Sequence, residues 1–299
     1  MIDIQNLKQR FSIPGILSVS KRDNNFIYVN VSNQYADAEV FLYGAHITSF
    51  KPKNEEEILW MSPASNFIAG KAIRGGIPVC FPWFGPHKTD IRKPQHGFGR
   101  LMEWNLTSTG QNSIGETLIR LELSSSEETR AYWPCDFFAE MAISVGKTLK
   151  ATLKITNISN AQFGYSCALH TYYSISSIEE IKIEGLKGSR YYKNDVAGKF
   201  IQESPKLEIH ELVDRHYYET ESTIVIEDPN LKRNIRATKK GSRVTTVWNP
   251  WLENCCKISD MPDYAYKSFV CVEAVNSFDD TIILNPGESH ETSVSIGLE

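Results

Sequence analysis

The sequence predicts an all-β chain built on large antiparallel sheets with little helix. Three observations predict it. Short runs rich in Ile, Val, Phe, Tyr and Thr recur along almost the whole chain and tend to alternate with polar residues. Two of these runs, Phe137–Val145 and Leu149–Ile158, are joined by Gly146-Lys147-Thr148, a short glycine-containing link of the kind that closes a hairpin. Helical periodicity is scarce, with Leu7–Phe11 and a turn near Pro63 as its candidates.

Taken in order, Ile16–Lys21, Phe26–Ser32, Glu39–Tyr43 and Ile47–Lys51 read as strands, the last two separated by a bend or bulge at Gly44-Ala45-His46. A break around Pro63–Ala69 leads into an irregular segment, Lys71–Arg100. Strand patterning resumes at Met102–Ser108 and Thr117–Ser124. Beyond the hairpin come Phe163–Ser174, Ile178–Glu184, Ile224–Glu227 and Ile235–Thr238. The last of these is expected to pair with Val244–Trp248 across Lys239–Ser242. Ser268–Ala274, Thr281–Leu284 and Glu291–Ile296 complete the set. No repeat, low-complexity tract or linker divides the chain, so residues 1–299 are expected to form one domain of packed sheets.

The bulk composition narrows the function. The 299 residues are 41% hydrophobic and carry a formal charge of -4, with no basic stripe, which argues against nucleic acid. Any anion must therefore be gripped locally by a few placed cations. Met1–Gly15 has no apolar run that could serve as a secretory signal, and no uncharged apolar stretch reaches the ~18 residues a membrane span needs. Six cysteines lie at irregular spacings without a CxxC, several in apolar runs, and read as buried thiols in a reducing, cytoplasmic setting.

Lys71–Arg100, KAIRGGIPVCFPWFGPHKTDIRKPQHGFGR, concentrates the chemistry. Its glycines and prolines set the chain direction, and Phe81, Trp83, Phe84 and Phe98 are too many aromatics for a solvated loop, so it either covers a sheet or lines a pocket. Arg74 and Arg100 bracket it among glycines and aromatics, where two guanidinium forks could clamp one phosphate or carboxylate. Arg92, between Ile91 and Lys93, reads as solvated. Gln95 can both donate to and accept from a sugar hydroxyl, and His96 can move protons near neutral pH or serve as a structural histidine.

Three further candidates lie downstream. His170 in ALHTYY is a titratable group inside a strand-like run, and is either a hydrogen-bonded core histidine or a proton-transfer group. Glu273 in FVCVEAV is flanked by apolar residues, where an unpaired carboxylate is costly and so requires a cation or a function. Asp214 could accept from a sugar hydroxyl or pair with a cation on a turn. Trp83, Trp133 and Trp248 could stack on a sugar ring or fill core. The sequence has no GxGxxG before a helix, no P-loop, no HExxH, no GxSxG and no His-rich metal spacing, so side chains alone are expected to carry the chemistry, without metal or cofactor.

Together these residues resemble the D-hexose-6-phosphate mutarotase (glucose-6-phosphate 1-epimerase) family of the galactose mutarotase-like superfamily. The resemblance is carried by Gly44-Ala45-His46-Ile47, Arg74-Gly75-Gly76-Ile77-Pro78, Phe81-Pro82-Trp83-Phe84-Gly85, Gln95-His96-Gly97-Phe98-Gly99-Arg100, Leu169-His170-Thr171-Tyr172, Asp214-Arg215, Trp248-Asn249-Pro250-Trp251 and Val272-Glu273, in the family's order. It implies a β-supersandwich with His170 as general acid and Glu273 as general base. It further implies that Arg74, Gln95, Arg100 and Asp214 contact a sugar phosphate, with His96 near the reacting ring. The stretch Thr89–Pro94 departs from the family pattern and leaves the outer wall of the pocket undefined. The expected partner is a small-molecule sugar phosphate, with no nucleic acid or membrane, and the expected state is a monomer. The competing readings are an aldose 1-epimerase acting on unphosphorylated sugars, a non-catalytic carbohydrate-binding protein and, third, a glycoside hydrolase, which would want two carboxylates flanking a bond.

Overall fold

The computed structural model describes residues 3–22, 24–194 and 197–299. The hairpin predicted around Gly146 forms, with Val145 opposite Leu149 and the two strands paired out to Phe137 and Asn157. They lie in a nine-stranded antiparallel sheet whose order is Lys206–Leu207, Lys182–Glu184, Ile224–Asp228, Arg233–Lys240, Ser289–Leu298, Leu149–Asn157, Phe137–Val145, Thr117–Ser124 and Asn105–Gln111. Alternation decides which face is buried: Phe137, Ala139, Met141, Ile143 and Val145 point inward, and the residues between them are half-buried.

The second large sheet runs Phe200–Ile201, Arg190–Lys193, Val213–Tyr218, Val244–Asn249, Phe269–Asn276, Cys167–Leu169 and Val79–Cys80, and Tyr172–Ser174 also pairs with Phe269–Asn276. Phe269–Asn276 is buried at every position, because it is central and both its faces are covered. Val270 and Val272 share one continuous apolar core with Met141, Leu153 and Val294 of the nine-stranded sheet. A four-stranded sheet, Leu17–Lys21, Ile27–Ser32, Ala36–Phe41 and His46–Pro52, adds the N-terminal part. Every named strand pair is antiparallel. Among the described residues the α-helices are Ile4–Phe11, Glu127–Tyr132 and Trp251–Cys255, all short. The all-β expectation holds.

One expected pairing is wrong. Arg233–Lys240 does not form a hairpin with Val244–Asn249: it pairs with Ser289–Leu298 and Ile224–Asp228, whereas Val244–Asn249 pairs with Val213–Tyr218 and Phe269–Asn276. The link between them crosses from one sheet to the other. Gly241 makes the corner at φ +73°, where a side chain would collide with the Glu291 carbonyl oxygen, and the buried Ser242 hydroxyl donates to the Val275 carbonyl at 2.8 Å. Phe163–Ser174 is also not one strand. It breaks into Phe163–Tyr165, Cys167–Leu169 and Tyr172–Ser174, and the second break falls at His170 and Thr171.

The Lys71–Arg100 segment is tied to both neighbouring sheets. The Ile77 amide donates to the Ile47 carbonyl, the Gly76 amide to Trp60, and Val79–Cys80 pairs with Cys167–Leu169. Gly97 sits at φ +72° directly against the Phe81 carbonyl, so no side chain fits there. All six cysteines are free, and Cys80, Cys167, Cys255 and Cys271 are buried, as the apolar runs around several of them suggest. Among the described residues no helix is long and apolar enough to cross a membrane.

Candidate active site

The face of the eight-stranded sheet opposite the shared core carries a cavity of about 260 Å³. Register builds its floor. In the two-residue alternation of three adjacent strands, Asp214 and His216, Thr246 and Trp248, and Cys271 and Glu273 fall on one face. His216, Thr246 and Glu273 stand in one row across the sheet, and Asp214, Trp248 and Cys271 in the next. His170 joins from the break after Cys167–Leu169, its amide donating to the Pro78 carbonyl at 3.1 Å. The Lys71–Arg100 segment forms the opposite wall with Arg74, Phe84, Gln95, His96 and Arg100. All seven residues singled out as site candidates therefore line one cavity, although they come from five separate stretches of chain.

His170 Nδ1 stands 3.4 Å from Glu273 Oε1, and both side chains are buried. The distance is that of an ion pair, but the surroundings favour neither charge. Burial pushes His170 well below its usual range, and the Arg100 and Arg74 cations push it further. Burial raises Glu273 well above the usual carboxylate range, helped by Asp214 and opposed by Arg100. Both shifts favour the uncharged form of each group. Among the described residues His170 Nδ1 and Glu273 Oε2 have no hydrogen-bond partner.

The two arginines are held differently. Arg74 Nε donates to Asp260 Oδ1 at 3.1 Å and its NH1 to the Tyr172 hydroxyl at 3.3 Å. Burial opposes its charge, but Tyr172 and Asp260 outweigh that and raise its pKa. Arg100 NH2 donates to the Gln95 carbonyl at 2.9 Å, while its buried Nε has no partner. Among the described residues Arg100 makes no ion pair, and burial followed by the nearby Arg74 lowers its pKa. Two like charges held together without a carboxylate on Arg100 make an anion seat.

His96 takes a left-handed conformation at φ +62°, and its Nδ1 accepts the Gly85 amide at 3.1 Å. That bond fixes the proton on Nε2. Burial, with Arg100, His170 and Arg74 adding to it, keeps the ring neutral, so His96 is a hydrogen-bond donor and not a cation. Asp214 accepts from Asn194 Nδ2 at 2.7 Å and lies 3.2 Å from His216 Nε2. The His216 ring is held from its other side by Thr246 Oγ1 at 2.8 Å.

Of the three tryptophans considered, Trp248 lines the cavity, while Trp83 and Trp133 pack into the aromatic cluster around Phe81 and Phe98. Arg92 is solvated, as its sequence suggests, with 87% of its side chain exposed beside Asp90. Thr89–Pro94 contributes nothing to the lining, so the wall is completed by Phe84–Pro86 instead. Sequence reasoning missed Asp260, Tyr172, His216 and Asn194. His216 had a usable signal, two residues after Asp214 in an alternating run. Asp260 had none, since it lies in an irregular loop and reaches Arg74 only through the tertiary fold. One donor atom each of His170, Cys271 and Glu273 lies within 4.8 Å of the others, a cluster that could hold a metal ion.

Comparison with known proteins identifies the family. A family profile described as aldose 1-epimerase matches residues 28–297. A Salmonella typhimurium protein provisionally named glucose-6-phosphate 1-epimerase is 38% identical over 251 residues, covering 82% of this chain and 81% of its own. An Escherichia coli protein with the same provisional name is 36% identical over 278 residues, covering 89% and 90%. The crystal structure of a provisionally assigned mutarotase from Salmonella typhimurium superposes with a TM-score of 0.89 at 31% identity, covering 99% of this chain and 98% of that one. The chain belongs to the aldose 1-epimerase family, and its fold is the galactose mutarotase-like β-supersandwich.

Proposed function

We propose that the protein interconverts the α and β anomers of a hexose 6-phosphate, with glucose 6-phosphate, the sugar in its relatives' names, as the substrate. The observation that carries this reading is the placement of His170 and Glu273, 3.4 Å apart, in one cavity with the two arginines Arg74 and Arg100. The whole chain acts as one domain and as a monomer in the cytoplasm, a setting supported by its free cysteines.

Anomer exchange requires the C1 hydroxyl to lose its proton while the ring oxygen gains one. The C1–O5 bond then breaks to leave an open aldehyde, rotation about C1–C2 presents the other carbonyl face, and reclosure reverses both transfers. Glu273 as carboxylate takes the hydroxyl proton and His170 as imidazolium protonates the ring oxygen. The reactive form carries its proton on His170, whereas burial in the free protein favours the uncharged form of both groups. A phosphate dianion between Arg74 and Arg100 moves the pair toward the reactive form. It offsets two cations that depress His170 but only the one that acts on Glu273. Gln95 and Asp214 bind sugar hydroxyls, and His96 donates from Nε2 to an oxygen near the reacting ring. The arginines hold the phosphate and orient the ring for both transfers.

The runner-up is an epimerase of unphosphorylated aldoses. A buried Arg100 with no acidic partner among the described residues speaks for the phosphate. The test is anomer exchange by NMR saturation transfer on glucose 6-phosphate and on glucose side by side. Acceleration confined to the phosphosugar supports the proposal, equal acceleration supports the runner-up, and binding without acceleration of either refutes a catalytic pair.

A further inference from the structure

We propose that His170, Cys271 and Glu273 form a site for a soft divalent cation of the zinc class, and that the ion, once seated, excludes the sugar. Cys271 and Glu273 are two residues apart on one face of Phe269–Asn276, and His170 lies at the break between Cys167–Leu169 and Tyr172–Ser174, the two strands that pair with it. One donor atom from each lies within 4.8 Å of the others, and all three residues are buried. Around a tetrahedral zinc with bonds of about 2.0–2.3 Å, ligand atoms stand roughly 3.3–3.8 Å apart, so small rotamer changes bring these three atoms to ligand spacing.

Two observations point to a ligand here. His170 Nδ1 and Glu273 Oε2 are buried without a partner. Cys271, moreover, has no part in ring opening, yet its thiol lies beside the pair. Nitrogen, sulfur and a single carboxylate suit zinc, whereas magnesium and calcium prefer all-oxygen sets with about six or more ligands. On binding, the Cys271 thiol and the Glu273 carboxyl each release a proton to water as sulfur and oxygen bond to the metal, the imidazole supplies a lone pair, and nothing is oxidised or reduced. Arg74 and Arg100 stand in the same cavity and oppose a cation. The thiolate and carboxylate together bring two negative charges against the ion's two positive ones. His170 and Glu273 line the cavity where the sugar ring would lie, so an ion held by them and the sugar compete for the same groups.

The test uses the full chain with the exposed Cys256 replaced by serine, so that a surface thiol does not contribute. Cobalt(II) is added as a spectroscopic stand-in, and zinc as an inhibitor of anomer exchange. The expected results are a near-ultraviolet sulfur-to-cobalt charge-transfer band that glucose 6-phosphate suppresses, and zinc inhibition competitive with the sugar phosphate. Cys271→Ala and Cys271→Ser should each abolish the band and weaken zinc inhibition, measured against each variant's own rate, by about tenfold or more. No cobalt binding, binding without the band, or zinc inhibition of equal strength in both Cys271 variants would overturn the proposal. The cobalt spectrum does not depend on turnover, so a protein that failed to exchange anomers would still decide the metal site.

Discussion

His170 and Glu273 stand 3.4 Å apart at the floor of the cavity, at ion-pair distance but in surroundings that keep both neutral. Glu273 comes from the central strand Phe269–Asn276 of the eight-stranded sheet, and His170 from the break between Cys167–Leu169 and Tyr172–Ser174, both of which pair with that strand.

Glu273→Gln keeps the shape of the side chain and removes the base. It should leave the KM for glucose 6-phosphate nearly unchanged and lower kcat by about 10²–10⁴-fold, the usual contribution of one acid–base group. Saturation-transfer NMR on the purified variant reads both parameters, and unchanged turnover would remove Glu273 as the base.

Asp260 accepts the Arg74 guanidinium at 3.1 Å and so aims it into the cavity without touching the sugar itself. A charge-assisted bond of this kind is worth about 1.5–3 kcal/mol. Asp260→Asn is therefore expected to raise the KM for glucose 6-phosphate about tenfold while leaving any glucose turnover unaffected. Arg100→Ala should discriminate in the same direction and more strongly. Equal losses on both sugars would mean that these side chains support the pocket wall and do not hold phosphate.

Phosphate should move a proton within the catalytic pair. In the free protein the His170 ring is expected to be neutral, since burial and two arginines depress it. Glucitol 6-phosphate, which has a phosphate but no anomeric carbon, should offset those arginines and drive the imidazole toward imidazolium. Nitrogen-15 shifts of labelled His170 across pH 6 to 8 give the answer. A ring equally neutral with and without the ligand would contradict the proton shift.

His46 gives a pH effect on stability rather than on rate. Its Nε2 lies 2.7 Å from the Gly75 carbonyl, and burial pushes it down to about 4, against that bond. The folded pKa is below the ordinary value near ~6.5, so as pH falls the unfolded chain takes up this proton first. The contribution is full above about 6.5 and is lost progressively as pH falls to about 4, on the order of 3 kcal/mol in all. Urea denaturation at pH 7 and pH 4.5 should show a smaller loss for His46→Gln than for the unmodified chain.

The sequence by itself determined the all-β class, most strand positions and seven cavity residues. Strand alternation and turn chemistry are local properties, and RGGIPVCFPWFG with QHGFGR is a long, distinctive segment. It determined the pairing of Phe137–Val145 with Leu149–Asn157, where a short turn joins the strands, but not the pairing of Val244–Asn249. Lys239–Ser242 reads as a hairpin link, yet it is a corner between sheets, because Arg233–Lys240 pairs with Ser289–Leu298, far along the chain. Only the tertiary structure brought Asp260 to Arg74 and Cys271 to His170. It also decided the charges of the pair: a glutamate beside a histidine suggests imidazolium and carboxylate, whereas depth of burial and the arginines across the cavity favour the neutral forms. Desolvation and long-range charge depend on what the folded chain places around a residue, and neighbours in sequence carry no record of it.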